Sequence, residues 1–399
     1  MKLLMVSHNL PCPAWGASAR NYYLLKALAR QHTVSLLALA DKTEIDAFDN
    51  MPLLEKLTHR VRIILRQSSS NRRLQQLMSV IQGKSYILNQ HILPAMQEAL
   101  DEMLAQDHYD VVLFESALTA GYRLPSWMRI IIDQHNIEHE LLQRTYEHER
   151  ISLRKWYNWQ ESRLLKQVEI ERCGRAEVVT VTSERERVVL KDLLPKSLIE
   201  VIPNGVDVEM FNTSNCKQEV VPNQIIFTGT MDYYPNIDAA LFFSRQCWPI
   251  IRDHVADATW QIVGRNPPPE IRKLAELPGI TVTGTIPDVR PYLAQAAIAI
   301  APLQIAGGTR LKILEALAMK KAVVSTSVGC EGLSIEPGKH LIVVDEPEAF
   351  AQAVITLLKN PEKRASLEVA GRSLAEARYS WEACGDQLLH ILEEKVSLC

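Results

Sequence analysis

Seven cysteines are scattered along 399 residues with no Cys-x-x-Cys pair, so neither a disulfide framework nor a zinc site is indicated. Charge of one sign is also lacking. The formal net charge is −3, whereas bulk nucleic-acid binding favours a strongly basic domain, and that class is set aside. No stretch approaches the roughly 18 apolar residues of a membrane span. The opening run, MKLLMVSHNL, is too short for a signal segment with a cleavage site. These absences lead to the expectation of a soluble, cytoplasmic protein. The Gly-x-Gly-x-x-Gly fingerprint is missing after the first strand, as are the His-Glu-x-x-His and Asp-x-Asp metal signatures. The length suits two domains, each with a large core.

The most informative stretch that is present runs from Pro302 to Leu333. A buried-looking strand, Ala296–Leu303, turns through Gly307, Gly308 and Thr309 into a helix with apolar residues at Leu311, Leu314, Ala318 and Met319. A second strand, Ala322–Ser325, completes a strand–turn–helix–strand unit of the parallel α/β kind. Small residues ahead of the helix let a ligand reach its N-terminal N–H groups, where the macrodipole favours an anion. Arg310 and Lys312 add two cations there, and Glu315, one turn inside, can accept from paired hydroxyls such as those of a ribose. Together these suit a nucleotide diphosphate. A solvent-exposed helix start with ordinary surface charges is the plainer alternative.

This stretch resembles the donor-binding segment of the GT-B glycosyltransferases called group 1 or family four, whose members usually show Glu-x7-Glu around a Gly-rich interior. Glu315, Gly308 and the EALA helix match, and Gly307 stands in place of the first Glu. The form GGTRLKILEALA resembles an exopolysaccharide-type branch in which that glycine is usual. The segment IPNGVDVEMF (Ile202–Phe211) resembles another signature of the family, at the passage between its domains; Asn204-Gly205 there reads as a turn with positive φ. The resemblance implies an α/β protein of GT-B fold, two doubly wound Rossmann-like domains facing each other across a cleft. Residues 1–205, with a closing helix at about 380–399 crossing back, would bind the acceptor, and residues 206–379 the donor. The implied reaction is retaining, metal-independent transfer from a UDP- or GDP-sugar to an acceptor hydroxyl, in polysaccharide, glycolipid or other glycoconjugate synthesis. The acceptor would be a saccharide, a lipid-linked sugar or a small molecule. No cofactor, metal or nucleic acid is implied, and peripheral contact with the inner face of the membrane is a further expectation. A non-catalytic sugar-nucleotide-binding subunit and a GT-B epimerase are the alternatives.

In chain order, Lys2–Ser7 reads as a buried strand, followed by a Pro- and Gly-rich loop, a helix over Asn21–Gln31 and a strand in HTVSLLAL. Gly16 and Arg20 then lie at a strand's C-terminal end, where open α/β sheets bind ligands. The resemblance brings Gly16 near the donor phosphates and Arg20 to the acceptor; a simple turn is the alternative for Gly16. Residues 42–105 read as mostly helical, with a basic run, Arg66–Gln76, that is a solvated face or a contact for anionic lipid. Strands at Asp110–Glu115 and Arg129–Asp133 follow. By resemblance His135 faces the donor sugar, with Asp133 and Asn136 beside it and Asn136 near the acceptor. As an alternative, Asp133 and Asn136 cap the next helix. Residues 140–175 read as a long amphipathic helix that packs Trp156, Tyr157 and Trp159 on a sheet, with binding to a membrane surface as the alternative for a basic aromatic helix. Strand Val178–Thr182 precedes a helix capped by Ser183.

The second domain opens with the strand Gln224–Thr228, Gly229 and a helix from about Asn236. Where the family usually carries Arg and Lys after this glycine, the chain has Thr230 and Pro235. The diphosphate clamp therefore passes to Arg310 and Lys312, with Asn236 as a cap or a ligand contact. Strands Ala258–Gly264 and Ile280–Thr283 follow, and the resemblance sets the backbone of Gly284, Thr285 and Ile286 around the base. The stretch YSWEACGDQLLHILEE resembles the family's closing helix.

Overall fold

The computed structural model describes residues 1–13, 16–41, 45, 51–66, 75–76, 78–79, 82–148, 153–305 and 311–396. By its contacts the chain separates into two units, Met1–Pro203 with Cys384–Cys399, and Asn204–Ala383.

The first unit holds β1 (Lys2–Ser7), β2 (Thr33–Ala40), β3 (Arg60–Leu65), β4 (Val111–Phe114), β5 (Arg129–Gln134), β6 (Val178–Val181) and β7 (Ile199–Val201). All pair in parallel in the order β3-β2-β1-β4-β5-β6-β7. The order reverses between β1 and β4, the place where a doubly wound sheet opens a crevice at its C-terminal edge. Central strands are apolar on both faces because both are covered, so Leu3, Leu4, Met5 and Val6 are all buried. Around the sheet lie α1 (Gly16–Leu28), α2 (Tyr86–His91), α3 (Glu138–His148), α4 (Leu153–Arg175) and α5 (Glu184–Leu193).

Three readings of this unit are corrected. α1 begins at Gly16, well ahead of Asn21, because the small residues after the prolines tolerate helical geometry. The segment read as mostly helical contains β3, an edge strand whose arginines Arg60 and Arg62 hid its apolar alternation and keep the edge from pairing further. Trp156 and Trp159 do not pack on a sheet: they are exposed, with the guanidinium of Arg163 5.0 Å from the Trp159 ring. The buried face of α4 carries Asn158, Glu161, Ser162, Leu165 and Glu169 instead. Its two carboxylates serve the N-termini of neighbouring helices, whose leading N–H groups have no partner of their own. Ser183 does cap α5, accepting from the Glu186 N–H at 3.3 Å.

The second unit holds β8 (Gln224–Thr228), β9 (Thr259–Val263), β10 (Ile280–Val282), β11 (Ile298–Ala301), β12 (Ala322–Ser325) and β13 (Ile342–Val343). They form a parallel sheet in the order β10-β9-β8-β11-β12-β13. Side chains alternate across β8: Ile225 and Phe227 enter one core and Ile226 the other. Helices α6 (Tyr234–Phe242) and α7 (Leu311–Ala318) carry the features used below, and α8 (Pro361–Tyr379) packs against α7. A last helix, α9 (Trp381–Ile391), returns to the first unit from Cys384, where Gln387 donates to the Val201 carbonyl at 2.5 Å. Neither Asn204 nor Gly205 takes positive φ, contrary to the turn reading. Gly205 is needed for a different reason: a Cβ there would lie 2.6 Å from Cδ2 of Trp381. Among the described residues no helix is long and apolar enough to cross a membrane.

Candidate active site

In the first unit, buried polar side chains gather at the C-terminal ends of β1, β4, β5 and β6. Glu115, which follows β4, accepts from the Ser7 hydroxyl at 2.8 Å, from the His8 N–H at 2.6 Å and from the Asn21 amide. Burial pushes its carboxyl up, against the opposing pull of His135 and these donors.

Asp133, near the end of β5, forms a two-point pair with Arg20: Nε to Oδ2 at 2.8 Å and Nη2 to Oδ1 at 2.6 Å. The Thr180 hydroxyl donates to the same carboxylate at 2.6 Å, and Arg20 also donates to the Pro203 carbonyl at 3.0 Å. Burial opposes the Asp133 charge, but the Arg20 guanidinium and then His135 hold the carboxyl well below the usual range. Arg20 is 1% exposed. A guanidinium sealed in this way orients its neighbours, so the acceptor contact read for Arg20 is replaced by a supporting role.

His135 receives that orientation. Its Nε2 lies 3.1 Å from Asp133 Oδ2, and its side chain is 13% exposed. The carboxylate contact at Nε2 fixes the orientation of the ring. Asn136 accepts through its carbonyl from Gln134 Nε2 at 2.7 Å, and its side chain bonds Glu138. Glu138 is pushed up to about 7, by burial first and then by the Glu169 carboxylate. Glu169 serves the start of α3: it accepts from the N–H groups of Glu138 at 2.8 Å and His139 at 3.2 Å, and pairs with His139 Nδ1 at 2.5 Å. The cap thus comes from α4, and neither Asp133 nor Asn136 supplies it.

In the second unit the loops after β8 and β9 cross closely. The Gly229 N–H donates to the Val263 carbonyl at 3.1 Å, and the Met231 N–H to the Arg265 carbonyl at 2.8 Å. A Cβ at Gly264 would overlap the Gly229 carbonyl oxygen, and one at Gly229 would lie 2.7 Å from Asn236 Nδ2 and 3.0 Å from Lys312 Nζ. Glycine at both positions is what lets those two side chains sit over the end of β8. Lys312 Nζ donates to Asn236 Oδ1 at 2.6 Å and lies 4.4 Å from the Phe227 ring centroid. Asn236 Nδ2 donates in turn to the Thr230 carbonyl at 2.9 Å. Lys312 therefore brings its cation beside Gly229 and the first turn of α6, the loop in which Thr230 and Pro235 provide none.

Glu315 lies one turn along α7 from Lys312. Desolvation raises its carboxyl to about 7, with Lys312 pulling the other way. Leu311 opens α7 and packs against the core. Thr283, Gly284 and Thr285 line a cavity of about 380 Å³ together with Asn266, Pro267 and Arg272. Ile286 does not join them and packs against the core. Gly16 is the first residue of α1. Gly307, Gly308, Thr309 and Arg310 lie outside the described residues. Among the described residues no three His, Cys, Asp or Glu side chains gather as metal ligands would. Ser7, His8, Asn21, Glu115, Thr180 and Glu169 were not singled out in the sequence; for Ser7, His8 and Glu115 the one signal is that apolar strands end on polar residues, whereas Asn21 and Glu169 lie within α1 and α4 and Thr180 within β6.

Two parallel Rossmann-like sheets, one with a cation over a glycine loop at its C-terminal edge, define a two-domain protein of the kind that handles nucleotides. The family model Glycosyltransferase Family 4 matches residues 16–210, and the model Glycosyl transferases group 1 matches residues 222–360. The chain belongs to this family of GT-B glycosyltransferases. It is 31% identical over 115 residues to the GDP-mannose-dependent monoacylated α-(1-6)-phosphatidylinositol monomannoside mannosyltransferase of Corynebacterium glutamicum, a match covering 27% of this chain and 30% of that one. It is 24% identical over 160 residues to an uncharacterized 44.6 kDa protein in the cps region of Klebsiella pneumoniae, covering 38% of this chain and 39% of that one. The chain thus spans well under half the length of either curated relative. Sucrose-phosphate synthase of Thermosynechococcus elongatus shares the fold, with a TM-score of 0.72 at 17% identity over 100% of both chains.

Proposed function

We propose that the protein transfers a glycosyl group from a nucleotide diphosphate sugar to an acceptor hydroxyl, with retention of configuration and without a bound metal. The observation that carries this is the placement of Lys312 on Asn236 over Gly229, with Glu315 one turn away on α7. The diphosphate would lie at this cation and the first turn of α6, where backbone dipole and charge favour an anion. Glu315 would accept from the ribose hydroxyls, and the cavity at Gly284 and Thr285 would take the base. In the reaction the bond from the anomeric carbon to the diphosphate oxygen breaks as the acceptor oxygen bonds that carbon. The acceptor proton passes to the departing phosphate, so no protein base is required. Lys312 and the α6 N–H groups stabilise the charge that develops on the leaving group, as preorganised electrostatics do.

The first unit would hold the acceptor. There the pair of Arg20 and Asp133 orients His135, which would offer its Nδ1 face to a sugar hydroxyl. Arg310, Gly307, Gly308 and Thr309 remain donor-site proposals on the family resemblance, as does Gly16. A UDP- or GDP-sugar is the proposed donor; one relative's name specifies GDP-mannose. The same name, which specifies a phosphatidylinositol mannoside, supports a role in glycolipid synthesis; polysaccharide or other glycoconjugate synthesis, on the cytoplasmic side of the membrane, is proposed on the family resemblance alone. The test is release of nucleoside diphosphate from a panel of UDP-, GDP-, ADP- and dTDP-sugars in EDTA. Release from at least one is expected, and release from none across candidate acceptors would reject the reading.

A further inference from the structure

The first unit has another cavity, of about 670 Å³, whose lining includes none of the groups at the end of β5. One wall is the end of β3 and one floor is α2. Six residues are too few to hold a helix alone, and α2 is fixed from outside at both ends. The Ser85 hydroxyl donates to Glu161 Oε2 at 2.5 Å and the Tyr86 N–H to Glu161 Oε1 at 2.8 Å. At the other end the Gln90 carbonyl meets His8 Nε2 at 3.1 Å, and the His91 carbonyl accepts from the Tyr122 hydroxyl at 2.8 Å.

The lining has a distinct chemistry. Four carboxamide residues line it, Gln75, Gln82, Asn89 and Gln90, the Asn89 amide also donating to the Ser79 hydroxyl at 3.4 Å, beside apolar Leu65 and Met78, which are 56% and 46% exposed. Among the described lining residues there is no carboxylate and one cation, Arg66, which is engaged. Arg66 donates to the His8 carbonyl at 3.0 Å and to its Nδ1 at 3.2 Å, and lies 3.3 Å from Asp41. Among these described residues a phosphate would find one cation that is already engaged, and an ammonium no carboxylate. A carboxamide presents a donor and an acceptor side by side, which fits neighbouring hydroxyls, while apolar side chains fit the C–H face of a pyranose. His8 ties this cavity to the site at β4: its ring stacks on His91 at 3.9 Å and its N–H donates to Glu115.

We propose that this cavity binds a neutral glycosyl residue of the acceptor. The inference rests on the reading that the first unit holds the acceptor, and it adds the acceptor's class: an uncharged sugar joined to the group that is glycosylated. The probe is n-octyl β-D-glucopyranoside below its micellar concentration, observed by saturation-transfer NMR and titration, beside glucose 6-phosphate and 1-octanol. Asn89→Leu/Gln90→Leu removes two amides and leaves the Gln90 carbonyl that anchors α2. If that variant unfolds, Gln82→Leu at an exposed turn repeats the test. Octyl glucoside should bind the wild type, bind about tenfold more weakly to the double variant, and bind Lys312→Ala unchanged. Absence of binding, equal binding by the amide variant, or equal or tighter binding of the phosphate or the octanol would overturn the proposal. Failure to turn over any nucleotide sugar would instead count against the proposed reaction and leave this binding result standing.

Discussion

Lys312 Nζ rests 2.6 Å from Asn236 Oδ1, and a Cβ on Gly229 would lie within 3.0 Å of the same Nζ. A lysine on α7 thereby serves the loop that joins β8 to α6. Lys312→Ala should lower kcat/KM by about 10²–10³-fold, the size seen when one preorganised group at a developing charge is removed. Asn236→Ala, which frees the ammonium to swing, should cost about tenfold. Steady-state kinetics with the best donor checks both, and an Asn236→Ala loss equal to that of Lys312→Ala would mean that Asn236 touches the donor itself.

Glu315 should make donor affinity depend on pH. Its carboxyl is raised to about 7, so below that pH it is protonated and cannot accept from two hydroxyls at once. Affinity for an intact nucleotide sugar should rise as pH goes from 6 to 8 and then level off. Sugar diphosphates do not titrate in that window, so the slope belongs to the protein. Glu315→Gln should flatten it in calorimetric titrations.

The pair of Arg20 and Asp133 makes a stability prediction. Asp133→Ala leaves a guanidinium buried without its partner and should destabilise the protein by about 3–5 kcal/mol in urea unfolding. The double change Arg20→Met/Asp133→Leu should recover much of that loss. Because the folded-state carboxyl is depressed, the pair's contribution is present above the ordinary carboxylate range and is lost as pH falls below it.

Glu138 has the opposite sign. Its carboxyl is raised from 4.5 to about 7 in the folded chain. Between those values the unfolded state has lost the proton that the folded state keeps, so stability falls as pH rises. Glu138→Gln should remove this fall, and its unfolding midpoint relative to wild type should improve from pH 5 to pH 8. A pH-independent difference would place Glu138 in a more solvated setting than its contacts with Asn136 and Glu169 imply.

Much of the fold was legible because central parallel strands are unbroken apolar runs: Lys2–Ser7, Gln224–Thr228 and Ala322–Ser325 were read with the bounds they have. The edge strand β3 was not, since an edge keeps its arginines. Glu315 could be singled out because its motif lies within one segment. The site was obscure where partners meet across the sheet: nothing local says that Arg20 pairs with a residue 113 positions on, or that Lys312 reaches one 76 positions back. Helix caps donated from another helix, as by Glu169 and Glu161, leave no local pattern either. The glycine of Asn204-Gly205 was noticed for the wrong reason, since Trp381 requires it by contact and no left-handed turn does.

In the proposed reaction Lys312 would hold the donor diphosphate in place of the Arg and Lys replaced here by Thr230 and Pro235. The most direct test is calorimetric titration of the wild type and Lys312→Ala with the nucleotide sugar that gives the largest thermal stabilisation, in EDTA. Binding to the wild type is expected, with a loss of at least tenfold in the variant and unfolding of the free protein unchanged. Equal affinity in the two proteins would contradict it and move the phosphates away from α6.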